Sequence, residues 1–398
     1  MKITILGLGY IGLPTAALIA SKGLKVSGVD VNKTVVDTIN KGKIHIVEPD
    51  LDGLVHYAVT KKFLTASTTV TPSDTFLIAV PTPFSADHKP DLSFVEKATR
   101  MIIPHLKSGN LLIIESTSPV GTTEKMAELV FEERPELKDK VWIAYCPERV
   151  LPGSVIYELQ QNDRVIGGID EPSTEAALKF YSLFVKGDLH KTNSRTAEMC
   201  KLVENAYRDV NIAFANELSI ICDQADIDVN ELIDLAGKHP RVKILNPGPG
   251  VGGHCIAVDP WFIVSAFPKE AKMIRLARET NNNKTIWVFK KIKEAAKKFE
   301  KMYKRKPVIA CMGLAYKADI DDMRESPALE IYHELEKLNF KVMAVEPNLR
   351  KHAELEITDT LRAVMEADML VFLVAHKEFR SLAISGEKIV LDFCGAKK

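Results

Sequence analysis

The amino-terminal segment constrains the fold most narrowly, because a strand, a glycine-rich turn and an acid follow one another in a fixed order. An apolar run at residues 2–6 precedes Gly7-Leu8-Gly9-Tyr10-Ile11-Gly12, and a helical pattern begins near Pro14. A second apolar run, at residues 25–30, ends in Asp30. Strand, turn, helix, strand and acid in this order are typical of the first βαβ unit of a doubly wound parallel sheet.

This turn also predicts a dinucleotide cofactor. Glycines allow a tight turn and let backbone N–H groups at a helix N-terminus approach a pyrophosphate. A carboxylate at Asp30 is placed to bind a ribose 2′-hydroxyl and to repel a 2′-phosphate, which favours NAD over NADP. The alternative is a glycine turn without a ligand. The expected cofactor contacts of this unit are Gly7, Gly9, Tyr10, Ile11, Gly12 and Asp30.

The rest of the sequence predicts two sheet domains separated by helices. A helical run without proline or glycine covers residues 195–226, a proline- and glycine-rich stretch covers 239–260, and a polar helical run covers 268–301. From residue 306 the amino-terminal pattern starts again, and residues 367–374 resemble 73–80. Besides residues 367–374, the expected strands are residues 2–6, 25–30, 74–80, 110–115, 141–145, 307–312 and 341–346.

The predicted fold class is therefore α/β, with two Rossmann-like doubly wound sheet domains joined by a long central helix and a helical middle domain. We expect an NAD-binding domain at 1–194, a central domain at 195–302 and a second Rossmann-like domain at 303–398, with the substrate in a cleft between the sheet domains. Because the helix at 195–226 has more apolar positions than one small domain should cover, we expect a homodimer or a larger homo-oligomer.

Composition and charge argue against several functional classes. The 398 residues include 53 basic and 53 acidic ones, and a formal net charge of zero argues against a nucleic-acid partner held by a basic surface. No apolar run is as long as a membrane span, and the segment after Met1 lacks the pattern of a signal peptide, so we expect a cytoplasmic protein. The 6 cysteines form no CxxC pair, so neither a disulfide framework nor a zinc site is predicted.

A proline and two threonines follow two of the expected strands. Pro81 and Thr82 come after residues 74–80, and Thr117 comes after residues 110–115. Ligands of open α/β sheets bind at the carboxyl ends of the strands. We therefore expect these three residues to contact cofactor or substrate, the alternative being that the hydroxyls only cap helices.

One cysteine stands in a loop suited to chemistry. Gly250-Val251-Gly252-Gly253-His254-Cys255 places a thiol after flexible glycines, four residues before Asp259. A cysteine is often only a small apolar residue of the core. A glycine-rich backbone, however, allows a substrate to approach closely, and its N–H groups can stabilise an oxyanion. Cys255 is therefore a candidate nucleophile.

Motifs along nearly the whole chain resemble those of the UDP-glucose/GDP-mannose dehydrogenase family. Gly-Gly-His-Cys-Ile with a following Asp-Pro, at residues 252–260, looks like the catalytic cysteine loop of that family. Further similar segments are 7–14, 115–123, 145–149, 201–216, 313–317 and 322–327. The segments that are similar to the branch acting on UDP-N-acetyl-D-mannosamine are 147–153, 193–202, 239–242 and 255–262.

The resemblance implies an NAD-dependent oxidation of UDP-N-acetyl-D-mannosamine to the uronate, which removes four electrons from the C6 hydroxyl through a thioester on Cys255 and supplies polysaccharide biosynthesis. One alternative is the same reaction on UDP-N-acetyl-D-glucosamine or UDP-glucose. A second is a single-step dehydrogenase of the 6-phosphogluconate or 3-hydroxyacid type, and a third is a nucleotide-binding sensor without activity. Free aldehyde would be a liability in a two-step oxidation, and a thiolate traps it.

The resemblance also implies roles for the residues around Cys255. Lys201 and Asn205, four residues apart on the predicted helix, would hold one substrate oxygen between a cation and an amide. Asp259 would orient a water or assist proton transfer. Without the resemblance, Lys201 and Asn205 would be ordinary polar residues of a helix.

Thr117 and Glu148 would position the water that acts as a base or hydrolyses the thioester. Glu148 is expected to line the cleft, because it follows the strand at residues 141–145. The UDP-glucose branch often has a second glutamate shortly after this one, where this chain has Pro152 and Gly153. This difference puts a mechanism with two glutamates in doubt.

The resemblance also implies which residues contact the UDP-sugar. It assigns residues 303–398 to UDP-sugar binding. Arg241 resembles an arginine that reaches the substrate across a dimer contact, although a lone arginine in a loop is more often solvated. Residues 313–317 with Arg324 resemble the loop that binds uridine diphosphate, and Arg324 is also expected at the cofactor. Asp319, Asp321 and Asp322 match no calcium loop, so no metal is predicted. The expected substrate contacts are Glu148, Arg149, Val150, Lys201, Asn205, Arg208, His239, Arg241, Gly252, Tyr316 and Lys317.

Overall fold

The computed structural model describes residues 1–85, 89–150, 153–253, 255–349, 352 and 354–397. Three residues of the predicted motifs, Leu151, Pro152 and His254, lie outside the described residues. The chain forms two units, Met1–Glu204 and Asn205–Lys398, and the boundary between them falls within one long helix. The three domain boundaries expected from the sequence therefore stay a prediction.

An eight-stranded sheet forms the centre of the first unit. Its strands are β1 (Lys2–Leu6), β2 (Lys25–Val29), β3 (Leu64–Ser67), β4 (Thr75–Ile78), β5 (Leu111–Ile114), β6 (Trp142–Tyr145), β7 (Arg164–Gly168) and β8 (Leu189–Asn193). Their order is β3-β2-β1-β4-β5-β6-β7-β8, and β7 runs antiparallel to β6, whereas the other neighbouring strands are parallel. The predicted doubly wound sheet is thus confirmed.

Helices cover both faces of this sheet. They are α1 (Gly12–Ser21), α2 (Lys33–Asn40), α3 (Leu51–Thr60), α4 (Ser93–Ile102), α5 (Thr122–Glu133), α6 (Val155–Gln161) and α7 (Glu171–Tyr181). Leu77 of β4 packs into one apolar cluster, while its neighbours Phe76 and Ile78 pack into the other. A central parallel strand is therefore apolar at every position, which is why the sequence pattern revealed it.

Strands at the sheet margins lack that signal. The five strands predicted in this unit are β1, β2, β4, β5 and β6, each found within two residues of the expected bounds. The prediction missed β3, β7 and β8. The edge strand β8 reads Leu-His-Lys-Thr-Asn and has no buried residue, so its hydrogen bonds to β7 have no counterpart in an apolar pattern.

The second unit combines helices with a smaller sheet. The helices are the remainder of α8 (Ser194–Ala225), then α9 (Val229–Ala236), α10 (Asp259–Ala266), α11 (Lys272–Tyr303), α12 (Pro327–Lys337), α13 (Thr360–Glu366) and α14 (Lys377–Arg380). Its strands are β9 (Val308–Met312), β10 (Lys341–Val345), β11 (Met369–Phe372) and β12 (Ile389–Asp392), all parallel in the order β10-β9-β11-β12. The second Rossmann-like sheet and the long central helix are thus confirmed.

The short helix α10 differs from the sequence prediction. The sequence predicted an irregular stretch up to residue 260 and a helix from residue 268, whereas α10 covers Asp259–Ala266. The sequence pattern included Pro260 in the proline- and glycine-rich stretch at residues 239–260. Pro260 lies in the first turn of α10, where a missing N–H costs no hydrogen bond within the helix.

Within the second unit, α11 packs on α8 through buried polar contacts. Arg278 donates to Asp209 over 2.5 Å, and the two side chains are 2% and 0% exposed. Lys284 is also buried, and its Nζ donates to Ser219 Oγ at 2.6 Å. Burying a charge without a partner is costly, so these contacts fix one register of the two helices.

Lys284 gives this pair of helices a testable pH dependence. Burial lowers the pKa of Lys284 from 10.5 to about 7, although Asp223 acts in the opposite direction. Between these values the unfolded chain binds the proton that the folded chain lacks, so folding stability rises with pH, by at most about 1.4 kcal/mol per pH unit.

We expect Lys284→Met to remove this dependence, because methionine has no group that titrates at this position. Urea unfolding of both proteins at pH 7 to 9.5 would show the wild type gaining stability relative to the variant as the pH rises. A difference that is the same at every pH would contradict the prediction.

Candidate active site

The turn after β1 has the backbone geometry that a dinucleotide requires. Gly7 has a φ of +89°, and its N–H donates to the Val29 carbonyl at 2.8 Å. A Cβ on Gly12 would lie 1.8 Å from the Gly7 carbonyl oxygen, so no other residue fits there. Gly9, by contrast, is exposed and would meet no atom within 4 Å in the described residues. The predicted turn therefore leaves its middle glycine open to a ligand.

Asp30 is held at the end of β2 by backbone donors. Its Oδ2 accepts from Leu8 N at 3.0 Å, and its Oδ1 accepts from Asn32 N at 2.8 Å. The carboxylate stays half-exposed, so a ribose hydroxyl can reach it. Tyr10 is exposed and Ile11 half-buried at the start of α1, whose first turn has no side-chain cap among the described residues. Uncapped N–H groups at a helix N-terminus attract a phosphate, so the turn and Asp30 fit NAD.

The strand-end residues lie where the sequence placed them. Pro81 is exposed and Thr82 half-buried after β4, and Thr117 is half-buried after β5. Ser116 Oγ donates to the Val80 carbonyl oxygen at 2.7 Å and so joins the two strand ends. The predicted contacts of Pro81, Thr82 and Thr117 with a ligand stay predictions.

Glu198 fixes the start of α8, and the sequence analysis gave it no role. Its carboxylate accepts from Gly121 N at 2.6 Å and Thr123 N at 2.7 Å, which caps α5. The side chain is fully buried, and burial raises the pKa of Glu198. No local pattern singles out Glu198, because Arg195 and Lys201 are polar neighbours on the same face of the helix. Lys201 is half-buried on the next turn of α8.

Glu148 is buried, whereas the sequence predicted a carboxylate that lines a cleft. Arg164 of β7 donates to its Oε2 at 2.8 Å, and Arg149 N donates to its Oε1 at 2.6 Å. Both side chains of the ion pair are less than a tenth exposed. The reason for the difference lies in β7, which the sequence did not predict. The role of Glu148 toward a water stays a prediction.

A second buried acid lies beside this ion pair. Tyr181 donates to Glu115 Oε1 at 2.7 Å, and the Arg164 guanidinium lies 5.5 Å from the centre of the Tyr181 ring. Burial raises the pKa of Glu115 to about 7, while Arg164 lowers it and Glu148 raises it further. Arg164 is thus the shared counter-charge of two buried carboxyl groups.

The loop after Glu148 is tied to the first unit by Glu48. Its carboxylate is buried and accepts from Gly153 N at 2.9 Å and Val155 N at 2.8 Å. Arg149 is half-buried and pairs with Glu204 at 2.7 Å, and Val150 is half-buried against the apolar cluster of α1. The guanidinium predicted to bind substrate thus already has a carboxylate partner.

In the second unit the cysteine loop packs tightly against its surroundings. A Cβ on Gly252 would lie 2.3 Å from the Glu325 carbonyl oxygen and 3.0 Å from Tyr316 Cβ. The sequence predicted that these glycines allow a substrate to approach closely. The close neighbours of Gly252 are instead protein atoms of the segment that carries Tyr316, so the glycine is needed for packing.

Cys255, Asp259 and Asn205 are brought together. Cys255 is exposed, and its carbonyl accepts from Asp259 N at 2.8 Å. Asn205 Nδ2 donates to Asp259 Oδ2 at 2.5 Å, and Asp259 is buried at the start of α10. The sequence paired Asn205 with Lys201 around a substrate oxygen. The structure pairs its amide with Asp259, and the contact with a substrate stays a prediction.

Asn216 anchors the same loop, which the sequence analysis missed. Its Oδ1 accepts from Gly248 N at 2.9 Å, and its Nδ2 donates to Asn281 Oδ1 at 2.9 Å. Asn281 in turn donates to Asp209 Oδ1 at 2.8 Å. The segment leading to Cys255 is therefore bonded to the buried polar contacts of α8 and α11.

Three predicted substrate residues are exposed in the second unit. Arg208 is exposed on α8, and His239 and Arg241 are exposed after α9. Arg241 N lies 3.4 Å from His239 Nδ1, which keeps the two in one turn. Their predicted contacts with a substrate stay predictions.

The loop after β9 contains the remaining predicted residues. Tyr316 is half-buried and its N–H donates to the Asp322 carbonyl at 3.0 Å, while Lys317 is exposed. Arg324 is exposed, and its guanidinium donates to both oxygens of Asp322, at 2.6 Å from Nη2 to Oδ2. A diphosphate at Arg324 would compete with this carboxylate.

Two groups of side chains among the described residues have ligand atoms within 4.8 Å of one another, namely Asp163 with Asp188 and His190, and Asp319 with His376 and Glu378. Both groups already form hydrogen bonds within the protein. The prediction that the protein binds no metal stays a prediction. In the part of the chain that is described, no helix is long and apolar enough to cross a membrane.

Three family models match the chain almost from end to end. They are those of the UDP-glucose/GDP-mannose dehydrogenase family, with its NAD binding domain at residues 1–185, its central domain at 195–283 and its UDP binding domain at 310–396.

Full-length relatives agree with this match. UDP-N-acetyl-D-mannosamine dehydrogenase of Campylobacter jejuni is 53% identical over 99% of this chain and 99% of that protein. NDP-N-acetyl-D-galactosaminuronic acid dehydrogenase of Ralstonia nicotianae (strain ATCC BAA-1114 / GMI1000) is also 53% identical, over 99% of this chain and 95% of that protein. The solved structure of UDP-D-ManNAc dehydrogenase from Pyrococcus horikoshii is 40% identical with a TM-score of 0.89, covering 100% of this chain and 96% of that one.

The buried pair of Arg164 and Glu148 yields a prediction about stability. Arg164→Met leaves a carboxylate buried without its cation, so we expect a loss of about 3–5 kcal/mol in the free energy of unfolding. Adding Glu148→Gln should recover part of that loss. Urea unfolding measures both changes.

The exposed ion pairs of Lys191 with Glu171 and Glu175 provide the control. Lys191→Met should change stability far less than Arg164→Met, because exposed ion pairs are screened by solvent. Equal losses of stability in Arg164→Met and Lys191→Met would contradict the prediction, because a buried carboxylate without its cation should cost more than an exposed one.

Proposed function

The chain belongs to the UDP-glucose/GDP-mannose dehydrogenase family, and from this premise we propose that it oxidises UDP-N-acetyl-D-mannosamine to UDP-N-acetyl-D-mannosaminuronate. It is an NAD-dependent nucleotide-sugar dehydrogenase. The observation that carries the choice of sugar is the 53% identity over 99% of the chain to the Campylobacter jejuni enzyme of that name. The product would supply an activated uronic acid for polysaccharide biosynthesis.

A second candidate substrate is the N-acetylgalactosamine-type sugar. The relative from Ralstonia nicotianae is also 53% identical and is named for an N-acetyl-D-galactosaminuronic acid. The two sugars differ in the configuration of ring substituents. Glucosamine-type UDP-sugars and UDP-glucose remain further alternatives, which the substrate comparison below includes.

We propose that Cys255 acts as the nucleophile. Two NAD molecules, bound one after the other, would each accept one hydride from C6, and in the first oxidation the proton of the C6 hydroxyl would pass to water. The Cys255 thiolate adds to the aldehyde carbon, and the resulting thiohemiacetal oxygen takes a proton. Loss of the second hydride and of that proton leaves a thioester, and water then releases the carboxylate and the thiol. The exposure of Cys255 supports a thiol within reach of a substrate.

Asp259 and Asn205 would serve proton transfer beside Cys255. Asp259 lies one helical turn after Cys255, and its N–H donates to the Cys255 carbonyl at 2.8 Å. The amide of Asn205 fixes one oxygen of Asp259 and so orients the carboxylate that would position a water. Lys201, one helical turn before Asn205 on α8, would hold the developing oxyanion.

Glu148 would act with Thr117 on the hydrolytic water while it remains paired with Arg164. A carboxylate offers about four lone-pair sites, so two bonds to Arg164 and Arg149 N leave acceptor capacity. Arg164 places a buried counter-charge beside this carboxylate. No second glutamate is needed in this version.

Each unit would bind one nucleotide. In the first unit, the Gly7 turn and Asp30 would bind NAD. In the second unit, the loop with Tyr316, Lys317 and Arg324 would bind the diphosphate, which agrees with the UDP binding domain matched at 310–396. We retain 1–194, 195–302 and 303–398 as the proposed domain boundaries.

We also propose a homodimer or larger assembly through α8. Tyr207, Phe214 and Ile221 recur at every seventh residue and are 71%, 54% and 52% exposed. Apolar side chains at this interval form one stripe along a helix, which is typical of a helix–helix interface.

The stoichiometry of the reaction tests the chemistry. We expect two NADH per molecule of limiting UDP-N-acetyl-D-mannosamine, because the route removes two hydrides. Cys255→Ala should lose acid formation, whereas the matched Cys394→Ala should retain it, since Cys394 follows β12 outside the proposed site. NADH absorbance measures both.

Each other outcome has a distinct meaning. One NADH per sugar would indicate a single-step dehydrogenase, and full turnover by Cys255→Ala would remove the thioester. Faster turnover of the galactosamine, glucosamine or glucose compound would overturn the proposed sugar and leave the mechanism intact.

Sedimentation tests the assembly. The wild type should sediment as a dimer or larger at micromolar concentration, and Phe214→Lys with Ile221→Lys should shift it toward monomer because charges would be buried in the stripe. Met302→Lys, at an exposed apolar residue of α11, is the control. A monomeric wild type would refute the proposal.

A further inference from the structure

The turn after β9 in the second unit has the geometry of the turn after β1 in the first. Gly313 has a φ of +89°, like Gly7, and its N–H donates to the Val345 carbonyl at 2.8 Å. The residue after Val345 is Glu346, which occupies the strand-end place of Asp30. Each acid accepts from the residue after its glycine, at 2.9 Å for Leu314 N in the second unit. The two units therefore share one turn.

The acids of the two turns differ in what they can still bind. Asp30 is half-exposed, whereas Glu346 is 1% exposed. Glu346 Oε2 accepts from Leu314 N and Ala315 N, both at 2.9 Å, and lies 3.1 Å from His376 Nε2. Its other oxygen accepts from Asn348. Glu346 thus serves the backbone of its own loop and has no exposed edge for a ribose.

His376 completes this arrangement from the end of β11. Its side chain is fully buried, and its Nδ1 accepts from the backbone N–H of Asp319 at 3.0 Å and from Asn348 Nδ2 at 2.9 Å. Because Nδ1 accepts, Nε2 carries the hydrogen and donates to Glu346. The backbone of Lys377 donates to Asp319 Oδ1 at 3.0 Å, which is a second tie at the same point.

These bonds reach both ends of one short segment. Through Glu346, His376 holds the amides of Leu314 and Ala315, and directly it holds the amide of Asp319. The residues between these points include Tyr316 and Lys317, two of the proposed contacts to the diphosphate. Tyr316 also packs against Gly252.

We propose that His376 is a positioning residue for nucleotide binding, which holds residues 314–319 in the conformation that receives the diphosphate of the UDP-sugar. This rests on the proposed assignment of the loop to UDP. A loop that is already ordered loses less entropy on binding, so the effect should appear in affinity.

UDP binding to the full-length protein tests this. We expect His376→Phe to raise the Kd of UDP in calorimetry by about tenfold or more, since buried bonds to the loop are lost. The KM for the UDP-sugar should rise in parallel while kcat at saturation stays the same. The affinity for NADH, measured by fluorescence, should be unchanged, because the Gly7 turn lies in the other unit.

Matched variants separate positioning from loss of structure. The Phe379 side chain is fully buried beside the His376 ring and has no polar atom, so Phe379→Leu should lower the melting temperature without changing the Kd of UDP. His376→Gln retains a donor for Glu346 but no acceptor for the Asp319 amide. It should show an intermediate Kd, and it becomes the deciding variant if His376→Phe does not fold.

The outcomes are distinguishable from failure of the proposed function. A folded His376 variant that binds UDP as tightly as the wild type would overturn the inference, as would a fall in kcat at constant KM, which indicates a smaller folded fraction. Tight UDP binding by a wild type that oxidises none of the sugars would instead remove the proposed function.

Discussion

The buried ion pair of Asp209 and Arg278 is the interaction on which the candidate catalytic groups depend. It fixes α8 against α11 within the second unit, and Asn281 extends it to Asn216 and so to the backbone of Gly248. The same stretch of α8 presents Asn205 to Asp259. A charge pair with no access to water has one favourable geometry, so it determines where the loop before Cys255 can lie.

Buried acids also fix the backbone at three other places in the described residues. Glu48, Glu198 and Glu346 each accept from backbone amides of a loop or a helix start that carries predicted functional residues. Such carboxylates satisfy N–H groups that irregular backbone would otherwise leave unpaired. The proposed chemistry therefore rests on loops whose backbone is held by buried acids.

The sequence predicted the features that depend on local pattern. The central strands, the Gly7 turn and α8 follow from apolar periodicity and glycine spacing, and a similar motif identified the Cys255 loop. Partners remote in sequence could not be predicted, because Arg164 lies on β7, which has no clear pattern, and His376 contacts Glu346 from another strand end. The start of α10 at Asp259 was not predicted, because proline both interrupts helices and occurs in their first turn.

The contact of Gly252 with Tyr316 has a consequence for how such a protein diverges. The loop of the nucleophile and the loop assigned to the nucleotide share one surface without space for a methyl group. A lineage that drifts toward another nucleotide cannot move Tyr316 without also moving the cysteine loop. A change in nucleotide recognition is thus coupled to the position of the catalytic loop. Any redesign of the nucleotide pocket has to alter both loops together.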